Sequence, residues 1–494
     1  MENQDAIVTL CVLFYLALSL PRCQNRFHFF SEISCIPMTS TESSRSFGLR
    51  VAMLALPIAL QMLLQSFLGM ADVIMVSGLG SAAIAAVGLS AKLHFLLWVL
   101  MAGIATGCSV LIAQYTGAKD TSSGAKTLAV TFIVAFAVML PCVMLFAVNN
   151  TWWLRYVNPD REVVSLAAQY LLITAPALIF TQFVVIYESS LRATGNATLP
   201  LATGIFAAVA NVVLNYILIF GHFGFPEMGV AGAAWGTMIS RLLQLMAIAG
   251  CLHIKKHPFA PLQLNFNVAL HLGEMKKFIF FSLPLVSNYL IWAIGNAAYH
   301  ILTGYAGTEA LAVMGVIVPI ETAFFALFVG LASASAVMIG HALGAGDNVE
   351  AWRLYKFFDR LSLVLVLVLS LVLWLSTPWL VKSFYSIDNQ TATLLQGTLA
   401  VFCLLTWVKV TNMMRIIGVL RAGADNNFVL VTDTIVMWLI GLPIFIVAVF
   451  SGKLSFVALY ALMYVEDFAK FIPMWLRIGK RKWLKNLTSA ENAT

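Results

Sequence analysis

Three residues in this sequence carry chemistry that their surroundings do not invite. Asp72 sits in "GMADVIMV" (69–76), within a run "VAMLALPIALQMLLQSFLGMADVIMVSGLG" that has no other charge before Lys92. An ionised carboxylate at the centre of a bilayer helix costs about 2.5–3.5 kcal/mol on the insertion scale, so such a group must face the protein interior and find a partner or change its charge. Burial favours the neutral acid and a bound cation favours the carboxylate, so one group can exchange a proton for a cation. Asn211 and Asn215, in "NVVLN", are four residues apart and share one face of a helix. Their amide oxygens can ligate a hard cation and their amide NH2 groups can bond a carboxylate. A purely structural use, as interhelical hydrogen bonds, is worth about 0.6 kcal/mol on average. Gln65, deeper on the Asp72 helix, joins these candidates on spacing alone.

The elements that position these groups must be membrane helices. The chain of 494 residues is 61% hydrophobic and only 10% charged, with a mean hydropathy of +0.90, whereas a soluble domain is about 25% charged. A net charge of +7 would suggest a nucleic-acid partner in a soluble protein. Here the Lys and Arg fall in short loops and at the C-terminus, where membrane topology accounts for them, so nucleic acid is excluded as a partner. The seven cysteines (11, 23, 35, 108, 142, 251 and 403) have neither CxxC nor Cys/His spacing and read as small buried apolar residues.

Apolar runs long enough to cross a bilayer fall near 51–77, 84–114, 125–148, 163–190, 198–220, 229–253, 278–303, 311–342, 360–382, 391–418, 428–450 and 454–477. These predict an all-α integral membrane protein of about twelve helices. Loops after even-numbered helices carry Lys119, Lys126, Arg192, Lys255, Lys256, Lys276, Lys277, Arg353, Lys356 and Arg421, and the tail adds Lys480, Arg481, Lys482 and Lys485. Loops after odd-numbered helices carry only Arg155, Arg161, Lys382 and Lys453. Both ends of the bundle are therefore expected in the cytoplasm, which leaves the sequon "NLT" at 486 unglycosylated. Ahead of the bundle, "AIVTLCVLFYLALSL" (6–20) is shorter than a span and follows an acidic rather than a basic segment. It is an extra helix, an interfacial segment, or sequence upstream of a start at Met38, and no function attaches to it.

The two halves repeat. Residues from Pro57 to Asp120 align without a gap on Pro284 to Asp347, and Gly80/Gly307, Gly88/Gly315, Gly103/Gly330 and Gly117/Gly344 coincide. The repeat recurs two residues out of phase, where "SLRATGNATLP" (190–200) matches "VLRAGADNNFV" (419–429). An even number of spans per half makes the repeats parallel, related by an axis along the membrane normal, with a cleft between them. The expected division is an N-terminal extension (1–45), a first lobe (46–256), a linker (257–277), a second lobe (278–480) and a basic tail (481–494).

These motifs together, "LPIALQMLLQSFLGMADVIMVSGLG", the "VLIAQYTGAKD" that ends the second helix, "LRATGN" after the fourth and "NVVLNYILIFG" in the fifth, resemble the multidrug and toxic compound extrusion (MATE) transporters of prokaryotic type. The resemblance covers about residues 46–488. It implies two pseudo-symmetric six-helix bundles around a cleft, in a bacterial inner membrane, acting as a monomer. The implied activity is secondary antiport of drugs or toxic organic cations, often aromatic, against H+ or Na+, with no cofactor besides the coupling ion. By this resemblance Asp72 is the first-helix carboxylate, Asn211 and Asn215 line the cavity beside it, and Thr237 joins them. Asp72 and Asn211 would be the ligands if the ion were Na+.

The second half departs from the sodium-coupled pattern of that family. Trp292 and Tyr289 stand where its seventh-helix acids would be, and Val410 takes the tenth-helix position, so coupling is expected in the first lobe. Glu321, in "IVPIETAFF", resembles an acid of a prokaryotic subgroup and is a candidate for coupling, for substrate binding or for pairing. Lys409 could neutralise Glu321 or reach toward an interface. Asp433, and the Glu466/Asp467/Lys470 cluster with its i,i+4 pair, read as structural. Tyr289 and Trp292 are also aromatic candidates for flat cations. The competing class is a lipid-linked saccharide flippase, which should line its cavity with Arg and Lys. No Walker A, HExxH, GxSxG or Cys/His cluster supports an enzyme.

Overall fold

The computed structural model describes residues 44–148, 150–382 and 389–489. The expectations for residues 6–20 and for a start at Met38 lie outside the described residues. In the first half, α1 (Ser44–Ser77), α2 (Ser81–Gly117), α3 (Thr121–Ala147), α4 (Arg161–Ala193), α5 (Thr198–Phe220) and α6 (Gly229–Ile254) follow in order, with a short helix Asn150–Val157 before α4. In the second half come α7 (Leu272–Tyr305), α8 (Thr308–Gly344), α9 (Asn348–Lys382), α10 (Asn389–Met413) and α11, which runs from Asn426 to Ser451. Among the described residues, eleven helices are long and apolar enough to span a membrane.

The twelfth expected span, 454–477, is instead two helices, α12 (Phe456–Leu462) and α13 (Val465–Gly479). The break at Met463–Tyr464 falls just before Glu466, Asp467 and Lys470, so that the two acids lie in the first turn of α13. Two π-helical stretches, Met414–Leu420 after α10 and Val436–Gly441 inside α11, also interrupt the second half. Such bulges often mark functional positions in helices. Polar side chains start the helices where the chain turns: Asp120 accepts from the Ser123 amide to cap α3, and Asp160 accepts from the Glu162 and Val163 amides to cap α4.

Each half packs on itself and meets the other along few elements. In the first lobe α4 lies between α2 and α6, and α5 packs on α6 and α1; the lobes meet through α1 against α8 and α2 against α7 and α8. The repeated glycines show how. A Cβ at Gly103 would lie 2.8 Å from Val286 Cα, and one at Gly330 would lie 2.5 Å from the Ala55 carbonyl oxygen. Gly117 and Gly344 are tighter still, backbone on backbone against His341 and Gln114. At the other end of the same helices Gly80, Gly88, Gly307 and Gly315 meet nothing within 4 Å. The lobes therefore close at the end bearing the loops 118–120 and 345–347, called here the basic end. On the outside, α9 presents Val364, Leu367, Val368, Leu371 and Leu375, all exposed and spaced to one face, as a surface fit for lipid.

Candidate functional site

In the first lobe α1, α5 and α6 bring the candidate residues together. Asn215 Nδ2 donates to Asp72 Oδ1 at 2.7 Å and to Asn211 Oδ1 at 3.2 Å. Asn211 Nδ2 continues the chain to Thr237 Oγ1 at 3.4 Å and Ser240 Oγ at 3.5 Å. The i,i+4 spacing in α5 puts both amides on the face that α1 and α6 cover. Asn215 is fully buried and its Oδ1 has no hydrogen-bond partner. Gly236 of α6 lies directly over that oxygen, and any larger residue there would displace it. A carboxylate held by an amide whose own oxygen is unused can accept a cation beside that oxygen. After the amide turns over, the same oxygen can instead take the O–H of the protonated acid.

A second polar group, which the sequence reading did not bring together, adjoins the first. Arg192 and Glu188, a turn apart on α4, approach to 3.9 Å. Arg192 Nη1 donates to Gln61 Oε1 at 3.0 Å, and Gln244 Nε2 donates to Glu188 Oε1 at 3.0 Å. Arg241 Nη1 donates to Gln244 Oε1 at 2.9 Å, and its charge acts on both Glu188 and Asp72. A small cavity of about 20 Å3 adjoins these groups, lined by Gln61, Gln65, Leu68, Ser240, Arg241 and Gln244. Gln65 thus faces the cavity rather than the Asp72 carboxylate. With Asp72 and Glu188 ionised, two carboxylates balance two guanidiniums. The signal for Glu188 was available, since it lies inside the apolar run of the fourth span; Arg192 was hidden by its position at that span's end.

In the second lobe the repeat is kept in outline and changed in chemistry. Arg421 occupies the place of Arg192 and donates from Nη2 to Asn288 Oδ1 at 2.8 Å, as Arg192 does to Gln61, the residue in register with Asn288. Tyr299 stands in register with Asp72, and its hydroxyl donates to Glu466 Oε2 at 3.2 Å. Glu466 also takes Lys470 at 2.8 Å, and Lys470 lies 3.6 Å from Asp433, which accepts from Asn288 Nδ2 at 2.9 Å. Tyr289 is not a free aromatic wall: its hydroxyl accepts from Arg421 at 2.8 Å and the guanidinium lies 4.5 Å from its ring. Trp292 is 44% exposed. Glu321 accepts from the Tyr460 hydroxyl. Lys409 lies over the rings of Phe325 (5.0 Å) and Tyr464 (5.9 Å), and among the described residues no ion pair joins it to Glu321. Among the described residues no cluster of three or more His, Cys, Asp or Glu could hold a metal ion.

Comparison with known proteins agrees with this architecture. The family model for MatE matches residues 57–217 and again 284–454, once per lobe, beginning at the two prolines that open the repeat. A probable multidrug resistance protein of Bacillus subtilis is 24% identical over 428 residues, covering 86% of this chain and 91% of the relative. The multidrug resistance protein NorM of Burkholderia vietnamiensis is 25% identical over 402 residues, 79% of this chain and 85% of that protein. Among solved structures, a MOP superfamily transporter from Pyrococcus furiosus superposes with a TM-score of 0.77 at 21% identity, covering 87% of this chain and 95% of that one. A multidrug resistance MATE family transporter in an outward-facing conformation gives 0.75 at 22% identity, covering 88% and 96%. Matched by the family model in both halves, the chain belongs to the MatE family of multidrug efflux transporters, in its bacterial form: a multi-pass membrane protein and a secondary transporter, not an enzyme.

Proposed function

We propose that the protein exports organic, often cationic and aromatic, compounds across the bacterial inner membrane by alternating access, in exchange for H+ or Na+ taken up at Asp72. The observation that carries this reading is the Asp72–Asn215–Asn211 chain, next to a cavity whose fixed charges balance only while Asp72 is ionised. In that state the lobe accepts a cation. A proton on Asp72 leaves Glu188 alone against Arg192 and Arg241, and the net positive charge expels the cation. Na+, ligated by the Asp72 carboxylate and an Asn211 or Asn215 amide oxygen, would displace a cationic compound by the same accounting. Glu321 and Lys409 serve as cleft-lining groups of the second lobe, with Trp292 as an aromatic wall. The basic end, where the lobes are closed, faces the cytoplasm, and the unit of transport is a monomer. The flippase alternative requires free basic groups in the cleft, whereas Arg192 and Arg421 are engaged within their own lobes.

The test is exchange of ethidium in proteoliposomes under separately imposed pH and Na+ gradients, for the wild type and Asp72→Asn. Asparagine keeps an acceptor for Asn215 and should preserve the fold. Gradient-driven uptake by the wild type that vanishes in the variant supports the reading and names the ion. Uptake that survives in Asp72→Asn removes Asp72 from coupling.

A further inference from the structure

The closed basic end is built from a pair of contacts that the sequence repeat places in register. Gln114 and His341 occupy matching positions on α2 and α8. Gln114 Nε2 donates to the carbonyl of Ala422 at 2.9 Å, and His341 Nε2 meets the carbonyl of Ala193 at 2.7 Å. Ala193 and Ala422 are the alanines of the two "LRA" motifs. Each lobe thus reaches across to the same backbone atom of the other, on either side of the Gly117/Gly344 crossing.

The symmetry ends at Gln114, because the chain's own C-terminal segment is laid over it. Gln114 Nε2 also donates to the Lys485 carbonyl at 3.2 Å, and the Leu487 amide donates to Gln114 Oε1 at 2.7 Å. Thr488 Oγ1 lies 3.4 Å from the Gly344 carbonyl, and Asn486 Oδ1 holds the turn by accepting the Thr488 amide at 2.8 Å. The segment is anchored on the second lobe. Trp483 has no exposed surface, its ring stacks at 6.4 Å on Trp352, and its Nε1 donates to the Ile478 carbonyl at 3.3 Å. Lys485 pairs with Asp425 at 3.6 Å, and Asp425 takes Arg477 through two bonds of 2.6 and 2.8 Å. The segment is therefore anchored to the second lobe, and Gln114 of the first lobe both donates to it and accepts from it.

We propose that residues 485–489 are a bolt of the transport cycle: carried by the second lobe, they clasp Gln114 of the first when the basic end is closed and must release it before that end can open. The physical reason is an asymmetry between states. In the closed state the segment covers Gln114, gives its Oε1 a donor and its Nε2 a further acceptor, and leaves it fully buried. In the open state water would satisfy the same atoms. The segment thus stabilises only the closed state and sets the balance between the two. This rests on the alternating-access reading above for its meaning in transport, while the contacts themselves are intramolecular.

The experiment measures the distance between spin labels at Ser122 and Val349, exposed positions at the basic ends of the two lobes, in full-length protein with its native cysteines replaced. The comparison is with three variants: Gln114→Ala; Leu487→Pro, which removes the amide donor; and deletion of residues 485–494, which keeps the Trp483 anchor. All three should add a longer-distance population, raising the open-to-closed ratio by roughly fivefold for each hydrogen bond lost: one in Leu487→Pro, two in the deletion and three in Gln114→Ala. Distances unchanged in Leu487→Pro and in the deletion would overturn the proposal, even if Gln114→Ala opens the end, because the Ala422 bond alone would then be responsible. Ethidium exchange by the same wild-type sample is scored separately. Its absence would count against the proposed export of cationic aromatic compounds and leave the distance result standing.

Discussion

Gly117→Ala should push the basic end open without touching a polar group. A Cβ at Gly117 would sit 2.7 Å from both the Cα and the carbonyl carbon of His341, where an ordinary contact needs about 3.5–4.0 Å. Both neighbours are backbone, so no side chain can swing aside and the helices must separate by about 1 Å. That displacement carries the two flanking bonds, now 2.9 Å from Gln114 to Ala422 and 2.7 Å from His341 to Ala193, beyond hydrogen-bonding range. Overpacking at one site costs about 1–3 kcal/mol and each lost bond about 1 kcal/mol. The closed state should therefore weaken by about 3–5 kcal/mol relative to the open one, a swing of roughly 10²–10⁴ in their ratio. The Ser122/Val349 label pair reads it as replacement of the short distance by a long one. Gly88→Ala is the control, since nothing lies within 4 Å of a Cβ there, and it should leave the distribution alone. A short distance that persists in Gly117→Ala would refute the claim that this crossing closes the lobes; opening by Gly88→Ala would show the effect to be nonspecific.

Two further outcomes follow from groups outside the cleft. Asp425→Asn breaks the paired bonds to Arg477 and the contact with Lys485 at a carboxylate only 4% exposed; the loss should be about 3 kcal/mol, read as a lower thermal midpoint, and an unchanged midpoint would mean the pair contributes nothing. His257, in the segment after α6, is held below its usual 6.5 by burial, with the charge of Lys255 adding to it, and its Nδ1 accepts from the Phe259 amide at 3.1 Å. A folded-state value below the unfolded one gives stability that is complete above about pH 6.5 and is lost as pH falls below it. The protection factor of the Phe259 amide, its exchange rate corrected for the intrinsic pH dependence, should fall between pH 7.5 and 5.5, and His257→Ala should remove that pH-dependent change.

Much of the first lobe's site was legible because its signals are local. Asp72 stands out against an apolar run whatever it touches, and the i,i+4 asparagines share a face in any helix. The glycines were legible as a repeat but not as a mechanism. Sequence cannot show that Gly103/Gly330 and Gly117/Gly344 meet the other lobe while Gly80/Gly307 and Gly88/Gly315 face open space. Arg192, read as a loop charge, is instead bonded to a glutamine 131 residues away. Tyr289, read as a candidate aromatic wall, is occupied by Arg421. The twelfth span was read as continuous because hydropathy averages over Glu466, Asp467 and Lys470, whereas the chain breaks just ahead of them.

The sequence by itself determined that this is a helical membrane protein of two repeats with a carboxylate at depth. Those properties depend on per-residue transfer free energy and helical period, which are additive along the chain. Only the tertiary structure decided which polar groups meet: Glu188 with Gln244, Asn288 with Arg421 and Asp433, and Gln114 with a tail 373 residues further on. Such pairings depend on how helices cross and on what each buried donor or acceptor would otherwise lack. Hydropathy carries no record of either, so the bolt at the basic end read in sequence as no more than a basic tail.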